Sequence, residues 1–456
     1  MHDVVIIGGG PGGYASALYA HNFGLDVALV EKDRVGGTCL LRGCIPAKTW
    51  LQTAEVFATV AGAEEFGVIT SEPKVDWTKA LERKNKIVDG LVRGLSGLLA
   101  SRKVTMYEGF GKLAGDGVDV FAADGAKTYV EGRNIIVATG SVPRGIPGYE
   151  FDGHRIVSSD HALDWESQPN RVAIIGAGAI GCEFASLLAD MGSEVHLFEM
   201  FDQILPGVEP EAAKSLHRAL KKKKVNITTG VAVQPAQVGD HAVVVPYGDS
   251  SVEVDVVLVA VGRAPLTEGI GLEEKPIQVD RGYVGVDPAT QQTAASGIYA
   301  VGDIVAGTPQ LAHAGFAEGI SAITHIATGE TAAVDYRAIP LVVYTHPEVA
   351  SVGMTEAAAR EAGIDITVTN HGMKGVGRAQ IVGDTGGAVK VIHQTGGPII
   401  GATVAGPSAG EMIHELMYAV GWEALPEEAA AFIHAHPTLS EGIGETLLSA
   451  AGRSLH

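Results

Sequence analysis

Short apolar runs and glycine-rich turns alternate along most of this chain, and the alternation has two clear beginnings. In VVIIGGGPGGYASALYAHNFGLDVALVEK, residues 4–32, an apolar run leads into glycines, then a helix-period stretch, then a second apolar run closing on Glu31. β-branched runs such as Val4 to Ile7 predict strands. The order strand, glycine turn, helix, strand returns in VAIIGAGAIGCEFASLLADMGSEVHLFEM, residues 172–200. Three further apolar runs end in glycine turns: IIVATGSVPR (135–144), VVLVAVGRAP (256–265) and GIYAVGDIV (297–305). From Asp335 the pattern changes. Strand-like runs (LVVYT, GGAVKVIHQ, PIIGATVAG) there alternate with helical ones (PSAGEMIHELMYAV, LPEEAAAFIHA), which predicts an α+β unit. The chain therefore divides into a first nucleotide domain at 1–143, a second at 144–265, a return to the first at 266–334, and a separate unit at 335–456.

The two beginnings share more than a pattern. Gly8, Gly10, Gly13 and Glu31 of the first correspond in spacing to Gly176, Gly178, Gly181 and Glu199 of the second. In each, the first glycine makes a tight turn, the second admits a pyrophosphate to the backbone, and the third lets helix and strand pack closely. The helix N-terminus offers unpaired N–H groups to the phosphates, and the trailing carboxylate accepts ribose hydroxyls. Glu199 would repel a 2′-phosphate, and Phe198 to Gln203 contains no arginine, so NAD is favoured over NADP. Two such sites in one chain suggest one bound redox cofactor and one diffusible nicotinamide.

Composition narrows the partners. The formal charge is −20, from 53 acidic against 33 basic residues, which opposes a nucleic-acid partner. The basic run Lys221 to Lys224 follows the amphipathic stretch EPEAAKSLHRAL and reads as the solvated last turn of a helix. No apolar run approaches the roughly 20 residues needed to span a bilayer, and no signal-peptide pattern precedes Val4. Three cysteines cannot make a secreted disulfide framework, so a reducing compartment, the cytoplasm, is expected and no metal site is. Two of the three, Cys39 and Cys44, sit a few residues after Glu31 in GGTCLLRGCIPAK. Across an ideal helix five residues rise about 7.5 Å, beyond disulfide reach. Gly36, Gly37 and Gly43 and the restriction that Pro46 places on Ile45 predict a distorted helix start that folds Cys44 back towards Cys39. A thiol at that dipole end near Lys48 is expected to have a lowered pKa. Cys182, inside the second glycine motif, is expected to be buried packing.

The pattern G-G-T-C-x4-C-I-P-x-K after G-x-G-x-x-G resembles the FAD-dependent pyridine-nucleotide disulfide oxidoreductases. The resemblance runs through the chain: ATG, the second fingerprint with GCE, AVGD, YTHPEVASVG (344–353) and HAHPTLSE (434–441). It implies an α/β fold with two Rossmann-like FAD/NAD-binding domains plus a C-terminal α+β dimerisation domain. FAD would lie on Gly8, Gly10, Gly13, Glu31, Lys48, Thr139, Gly140, Asp303 and Ala312, the last beginning a helix aimed at the flavin. NAD would lie on Gly176, Gly178, Gly181, Glu183, Glu199 and Gly262, with Glu183 pairing with Lys48 near the flavin ring. By the same resemblance Cys39 exchanges with substrate and Cys44 passes electrons to the flavin. His436, oriented by Glu441, would be the base, reaching the cysteines of the other subunit in a homodimer. The nearest branch of the family oxidises dihydrolipoyl groups carried by acyltransferases or glycine-cleavage carrier proteins; the alternative is another NAD(P)H-dependent disulfide reductase. Leu41 stands where relatives usually carry asparagine, and Ala47 where they carry serine or threonine. Gly442 and Gly444 depart from the family pattern too, and are expected to loosen the segment that follows the base.

Overall fold

The computed structural model describes residues 1–456. Met1–Thr49, Leu81–Arg144 and Arg263–Val334 form one compact unit; Trp50–Ala80, Gly145–Gly262 and Asp335–His456 form the other.

The first unit is built on a parallel sheet. His2–Ile7 lies between Val27–Glu31 and Lys127–Val137, Thr105–Glu108 extends one flank, and Ile298–Ala300 pairs with Lys127–Val137. Val4, Val5 and Ile6 are fully buried, as the absence of polar alternation in the run requires. Because these strands are parallel, Ile7, Val137 and Ala300 deliver their following turns to one edge of the sheet, the edge where α/β folds bind ligands. Two helices, Pro11–Ala20 and Ala312–Thr328, pack closely against each other. Glycine permits this: a Cβ on Gly319 would lie 2.6 Å from Ser16 Oγ and 2.8 Å from the Gly12 carbonyl.

The second unit holds another parallel sheet, in the order Asn226–Thr228, Glu194–Phe198, Arg171–Ile175, Val256–Val259, Ile156–Ser158. Residues 50–80, which the sequence pattern assigns to the first domain, belong here. Trp50 Nε1 donates to the Leu163 carbonyl at 3.1 Å and Trp77 Nε1 to the Trp165 carbonyl at 2.7 Å, with the two indoles 4.4 Å apart. The basic run also differs from a purely solvated face. Lys221 and Lys222 close the helix Pro210–Lys222, whereas Lys223 bonds Asp190 at 2.7 Å, and burial pulls the Lys223 pKa down.

The carboxy-terminal part of this unit is a five-stranded antiparallel sheet with the order Leu341–Val343, Glu348–Gly353, Ile399–Gly406, Ala388–Gln394, Ile366–Gly372. The helices Ala409–Gly421 and Glu441–Ala450 pack on it through Met412, Ile413, Leu416, Ile443 and Leu447. Lys390 pins this sheet to the second nucleotide fold. Its ammonium reaches Glu209 at 2.6 Å, Glu356 at 2.8 Å and Glu211 at 3.2 Å, and Lys390 and Glu209 are only 5 % and 2 % exposed. Burial lowers the Lys390 pKa, but the bonds to Glu209 and Glu356 outweigh it and the net shift is upward. Glu356 is held low by Lys390 and then Arg360. The cluster therefore stabilises the fold above the ordinary glutamate range, loses that contribution as pH falls through the lowered Glu356 pKa, and loses the lysine's share only at strongly alkaline pH. Lys390→Met should cost about 3–5 kcal/mol by leaving the Glu209 carboxylate buried and uncompensated. Urea denaturation at neutral pH measures this, and adding Glu209→Gln should restore part of the loss.

Candidate active site

The cysteine pair is placed by glycines. Gly36 and Gly37 adopt positive φ (117° and 57°), and Gly36 N–H donates to the Gly9 carbonyl at 2.7 Å. A Cβ on Gly37 would sit 2.5 Å from Gly10 Cα, so the loop lies directly on the first glycine turn. The short helix Gly37–Arg42 then breaks at Gly43 (φ −144°, ψ −113°), where a Cβ would strike the Thr38 carbonyl at 2.8 Å. Cys44 begins a new helix, Cys44–Ala61, whose first turn tolerates Pro46 because no N–H is needed there. The broken helix lets Cys39 and Cys44, both free thiols in this structure, hydrogen-bond to each other. Leu41, in place of asparagine, packs into the apolar core of the first unit beside Leu40 and Ile45.

The neighbouring thiol and burial dominate the electrostatics of Cys39. Cys39 is pushed well above the usual thiol range, first by its hydrogen bond to Cys44, then by burial; Lys48 acts downward but is outweighed. The hydrogen bond and burial both favour the protonated, neutral form of Cys39. Tyr14, which carries no sequence signal beyond its place after the glycine motif, belongs to the same electrostatic cluster. Burial, then the charges of Cys39 and Cys44, push its phenol up to about 12. Its ring packs against Phe316 at 5.5 Å.

The same unit presents a dinucleotide cradle. Gly8 has φ 105°, and its Cβ would meet the Ala138 carbonyl at 2.3 Å; that of Gly13 would meet the Gly8 carbonyl at 1.8 Å. The helix Pro11–Ala20 starts at Gly10 with no side-chain cap. Glu31 accepts from Gly9 N–H at 2.6 Å and from Asp33 N–H at 2.9 Å. Thr139 Oγ1 is buried without a partner, beside Gly140 at φ 72°. Asp303 accepts from the Ser141 hydroxyl, which in turn accepts from Arg263 Nε at 2.7 Å. Arg263 Nη2 bonds the Ser141 carbonyl at 2.7 Å and Thr38 Oγ1 at 3.3 Å, tying this turn to the residue before Cys39. Ala312 opens its helix after an uncapped Leu311. Uncapped helix ends, close-approach glycines and an orphaned Thr139 hydroxyl all fit a bound dinucleotide.

The second glycine turn repeats the first. A Cβ on Gly176 would meet the Ala260 carbonyl at 2.5 Å, and one on Gly181 the Gly176 carbonyl at 1.8 Å, while Gly178 and Gly262 face open space. Glu199 accepts from Ala177 N–H at 2.8 Å and Phe201 N–H at 3.0 Å. Glu183 is buried in the helix Ala179–Asp190 and accepts from Tyr344 N–H at 3.0 Å; Lys48 lies one turn after Cys44, in the first unit. Cys182 is wholly buried, bonded to the Ala177 carbonyl, and its thiol is pushed up by burial.

In the second unit the histidine loop is complete in itself. His436 is 78 % exposed, and its Nδ1 lies 2.7 Å from Glu441 Oε1. Glu441 Oε2 accepts from Thr438 N–H at 2.8 Å, and Thr438 Oγ1 donates to the Ala435 carbonyl at 2.7 Å. Burial raises the Glu441 pKa, but Thr438 N–H and His436 overcome that and hold it below the usual carboxylate range. Glu441 thereby remains a carboxylate that fixes the imidazole and leaves Nε2 to take a proton. The peptide bond between His436 and Pro437 is cis. His434 is engaged as well. Its Nε2 bonds Glu415 at 2.9 Å and it is 16 % exposed, and Glu415 holds its pKa above the ordinary value. Gly444, expected to loosen the segment, makes room for this ring: a Cβ there would lie 2.6 Å from His434 Nδ1. Gly442 is also closely packed, its Cβ 3.3 Å from Met373 Sδ and Val376 Cγ2. Both glycines lie inside the helix Glu441–Ala450 and serve close packing, which corrects the expectation.

Comparison with known proteins gives a consistent answer. Residues 2–319 match the family profile described as pyridine nucleotide-disulphide oxidoreductase, and residues 339–447 match the dimerisation domain of the same family. Dihydrolipoyl dehydrogenase of Bacillus subtilis is 38 % identical over 473 residues, covering 100 % of this chain and 99 % of that protein. Dihydrolipoyl dehydrogenase of Chlamydia muridarum is 39 % identical, covering 100 % and 98 %. Among solved structures, LpdA of Mycobacterium tuberculosis superposes with a TM-score of 0.91 at 28 % identity over 98 % of this chain and 99 % of its own. The HOCl-induced flavoprotein disulfide reductase RclA of Escherichia coli gives 0.87 at 27 % identity, covering 98 % of this chain and 99 % of its own.

Proposed function

The chain belongs to the pyridine nucleotide-disulphide oxidoreductases, and from that premise we propose that it oxidises protein-bound dihydrolipoyl groups with reduction of NAD. The dihydrolipoyl dehydrogenases of this family use FAD and NAD. The observation that carries the reading is the Cys39–Cys44 pair, brought within hydrogen-bonding reach on a glycine-broken helix against the first glycine turn. The identity of about 38 % to dihydrolipoyl dehydrogenases, end to end, selects the substrate within the family.

In the oxidised enzyme Cys39 and Cys44 form a disulfide. A dihydrolipoyl thiolate attacks Cys39 Sγ, a mixed disulfide forms, and Cys44 leaves as thiolate. The second substrate thiol, losing its proton to His436 Nε2, attacks the substrate sulfur of the mixed disulfide. The cyclic lipoyl disulfide departs and Cys39 is released. Glu441 holds the imidazole and compensates the imidazolium it becomes. A bound FAD would supply the two-electron relay between the thiol pair and the nicotinamide. Gly8, Gly10, Gly13 and Thr139 would receive its phosphates and adjoining turn, Glu31 and Asp303 its hydroxyls, and the Ala312 helix and Lys48 the flavin; Glu183 would belong to the nicotinamide site. NAD would occupy Gly176 to Gly181 with Glu199 on its ribose. Both Glu199 oxygens already accept backbone N–H groups, which fixes a carboxylate where NADP would carry a phosphate.

The dimerisation domain supports a homodimer in which the exposed His436 of the partner subunit serves these cysteines. Lipoyl groups on acyltransferases or on a glycine-cleavage carrier are the substrates of this reading, as for an E3-type component. No helix is long and apolar enough to cross a membrane. A pair that must cycle between thiol and disulfide fits the cytoplasm, which is where we place the protein. The test is a steady-state assay of the purified protein. Dihydrolipoamide with NAD should give turnover, and NADP should be far poorer. Glutathione disulfide reduced by NADPH at a higher rate would sink the proposal in favour of another disulfide reductase.

A further inference from the structure

The loop that carries His436 is fastened at both ends by a single carboxylate. Glu415, on the helix Ala409–Gly421, bonds His434 Nε2 at the start of the loop at 2.9 Å and accepts from the Ser440 hydroxyl at its end. Between these two residues there is no regular secondary structure. On one side Pro437, Thr438, Leu439 and Ser440 line a cavity of about 440 Å³ with Arg378 and Glu411, while Leu439 also packs on the core beneath the sheet. The inner side depends on the fit of the His434 ring over Gly444. Within the loop, His436 and Thr438 tie back to Glu441 and Thr438 to Ala435, while the Leu439 and Ser440 carbonyls accept from Gly442, Ile443 and Gly444 N–H at its far end.

We infer that Glu415 is a positioning residue for the base: by closing residues 434–440 into a ring it fixes where His436 Nε2 is presented. This rests on the reading of His436 as the base. Glu415 touches neither His436 nor any reacting atom, so its effect must pass through the loop. Its bonds lie at the surface, where an ion pair adds little to global stability. Placement is far more sensitive than stability, because a displacement of about 1 Å at a proton-transfer group costs on the order of 10²-fold in rate.

Three variants test it: Glu415→Ala, Glu415→Gln and Ser440→Ala. Glu415→Ala should lower kcat for dihydrolipoamide oxidation roughly 10- to 100-fold with little change in KM. Glu415→Gln should retain most activity, because an amide oxygen still accepts from both His434 and Ser440; Ser440→Ala, losing one end, should fall between. NADH-driven reduction of a quinone, which needs no thiol deprotonation, should be unaffected in all three. Hydrogen exchange at residues 435–441 should accelerate in Glu415→Ala and stay slow in Glu415→Gln. Unchanged kcat and exchange in Glu415→Ala overturns the inference, and so does an equal loss of quinone reduction, which would mark general damage. If the unaltered protein fails to oxidise dihydrolipoamide, the proposed function falls, and the exchange result alone then decides whether Glu415 closes the loop.

Discussion

Cys44→Ser is expected to reduce dihydrolipoamide-dependent NADH formation by at least about 10³-fold while leaving the fold and the cofactor in place. The reason is chemical rather than structural. A serine hydroxyl can take over the hydrogen bond that Cys44 now shares with Cys39, so the break at Gly43 and the docking on Gly10 stay as they are. It cannot form a disulfide, so no sulfur is available for the substrate thiolate to attack with a leaving group attached. A thiol count provides an independent measurement. Cys182 is wholly buried and should not meet a reagent in the folded protein, so titration reads Cys39 and Cys44 alone. Oxidised wild type should gain two reactive thiols on treatment with NADH, and Cys44→Ser should gain none. Near-normal turnover in Cys44→Ser would remove the pair from the mechanism.

What the sequence made legible was whatever repeats or is local. The two glycine turns could be read because their steric demand is the same in both: Gly13 against the Gly8 carbonyl and Gly181 against the Gly176 carbonyl leave the same 1.8 Å for an absent Cβ. The distorted start at Cys44 was legible too, because Gly43 and Pro46 act on their immediate neighbours. Contacts between distant segments left no such mark. Nothing in the period of residues 50–80 announces that Trp50 and Trp77 bond carbonyls near Leu163. Lys390 looks like any strand lysine until Glu209 and Glu356 arrive beside it. Gly444 looked like a weakness because the ring it accommodates, His434, comes from outside its helix and is bonded to Glu415 on another. Tyr14 and Arg263 were missed for the same reason. Their partners Cys39, Ser141 and Thr38 come from turns that only the folded sheet edge brings together. The rise at Cys39 left no mark either, because the lowering expected from Lys48 and a helix dipole concerned the thiol that opens the second helix and not what that thiol does to its neighbour.

His436→Gln carries the second large effect, a loss of roughly 10²- to 10⁴-fold in dihydrolipoamide oxidation near neutral pH. The size follows from what the imidazole does. An ordinary thiol has a pKa of about 8.5, so near pH 7 only a few per cent of substrate is thiolate without help. Glu441 makes His436 an effective acceptor: it stays ionised because Thr438 N–H and the imidazole hold its pKa down, and it takes Nδ1 so that Nε2 faces outward as base. Glutamine keeps a polar group in place but cannot accept the proton and carry it away. The deficit should therefore depend on pH in a particular direction. As pH rises towards the substrate's own thiol pKa, solvent hydroxide replaces the missing base, and the rate of the variant should climb about tenfold per unit while wild type changes little. NADH-driven quinone reduction should not change at any pH, because no thiol proton moves in it. A variant whose deficit is flat across that range would place His436 in substrate binding rather than in proton transfer, since lost binding contacts do not recover when the thiol ionises. Glu441→Gln should show the same slope with a smaller deficit, because the imidazole survives but its tautomer and charge are no longer held.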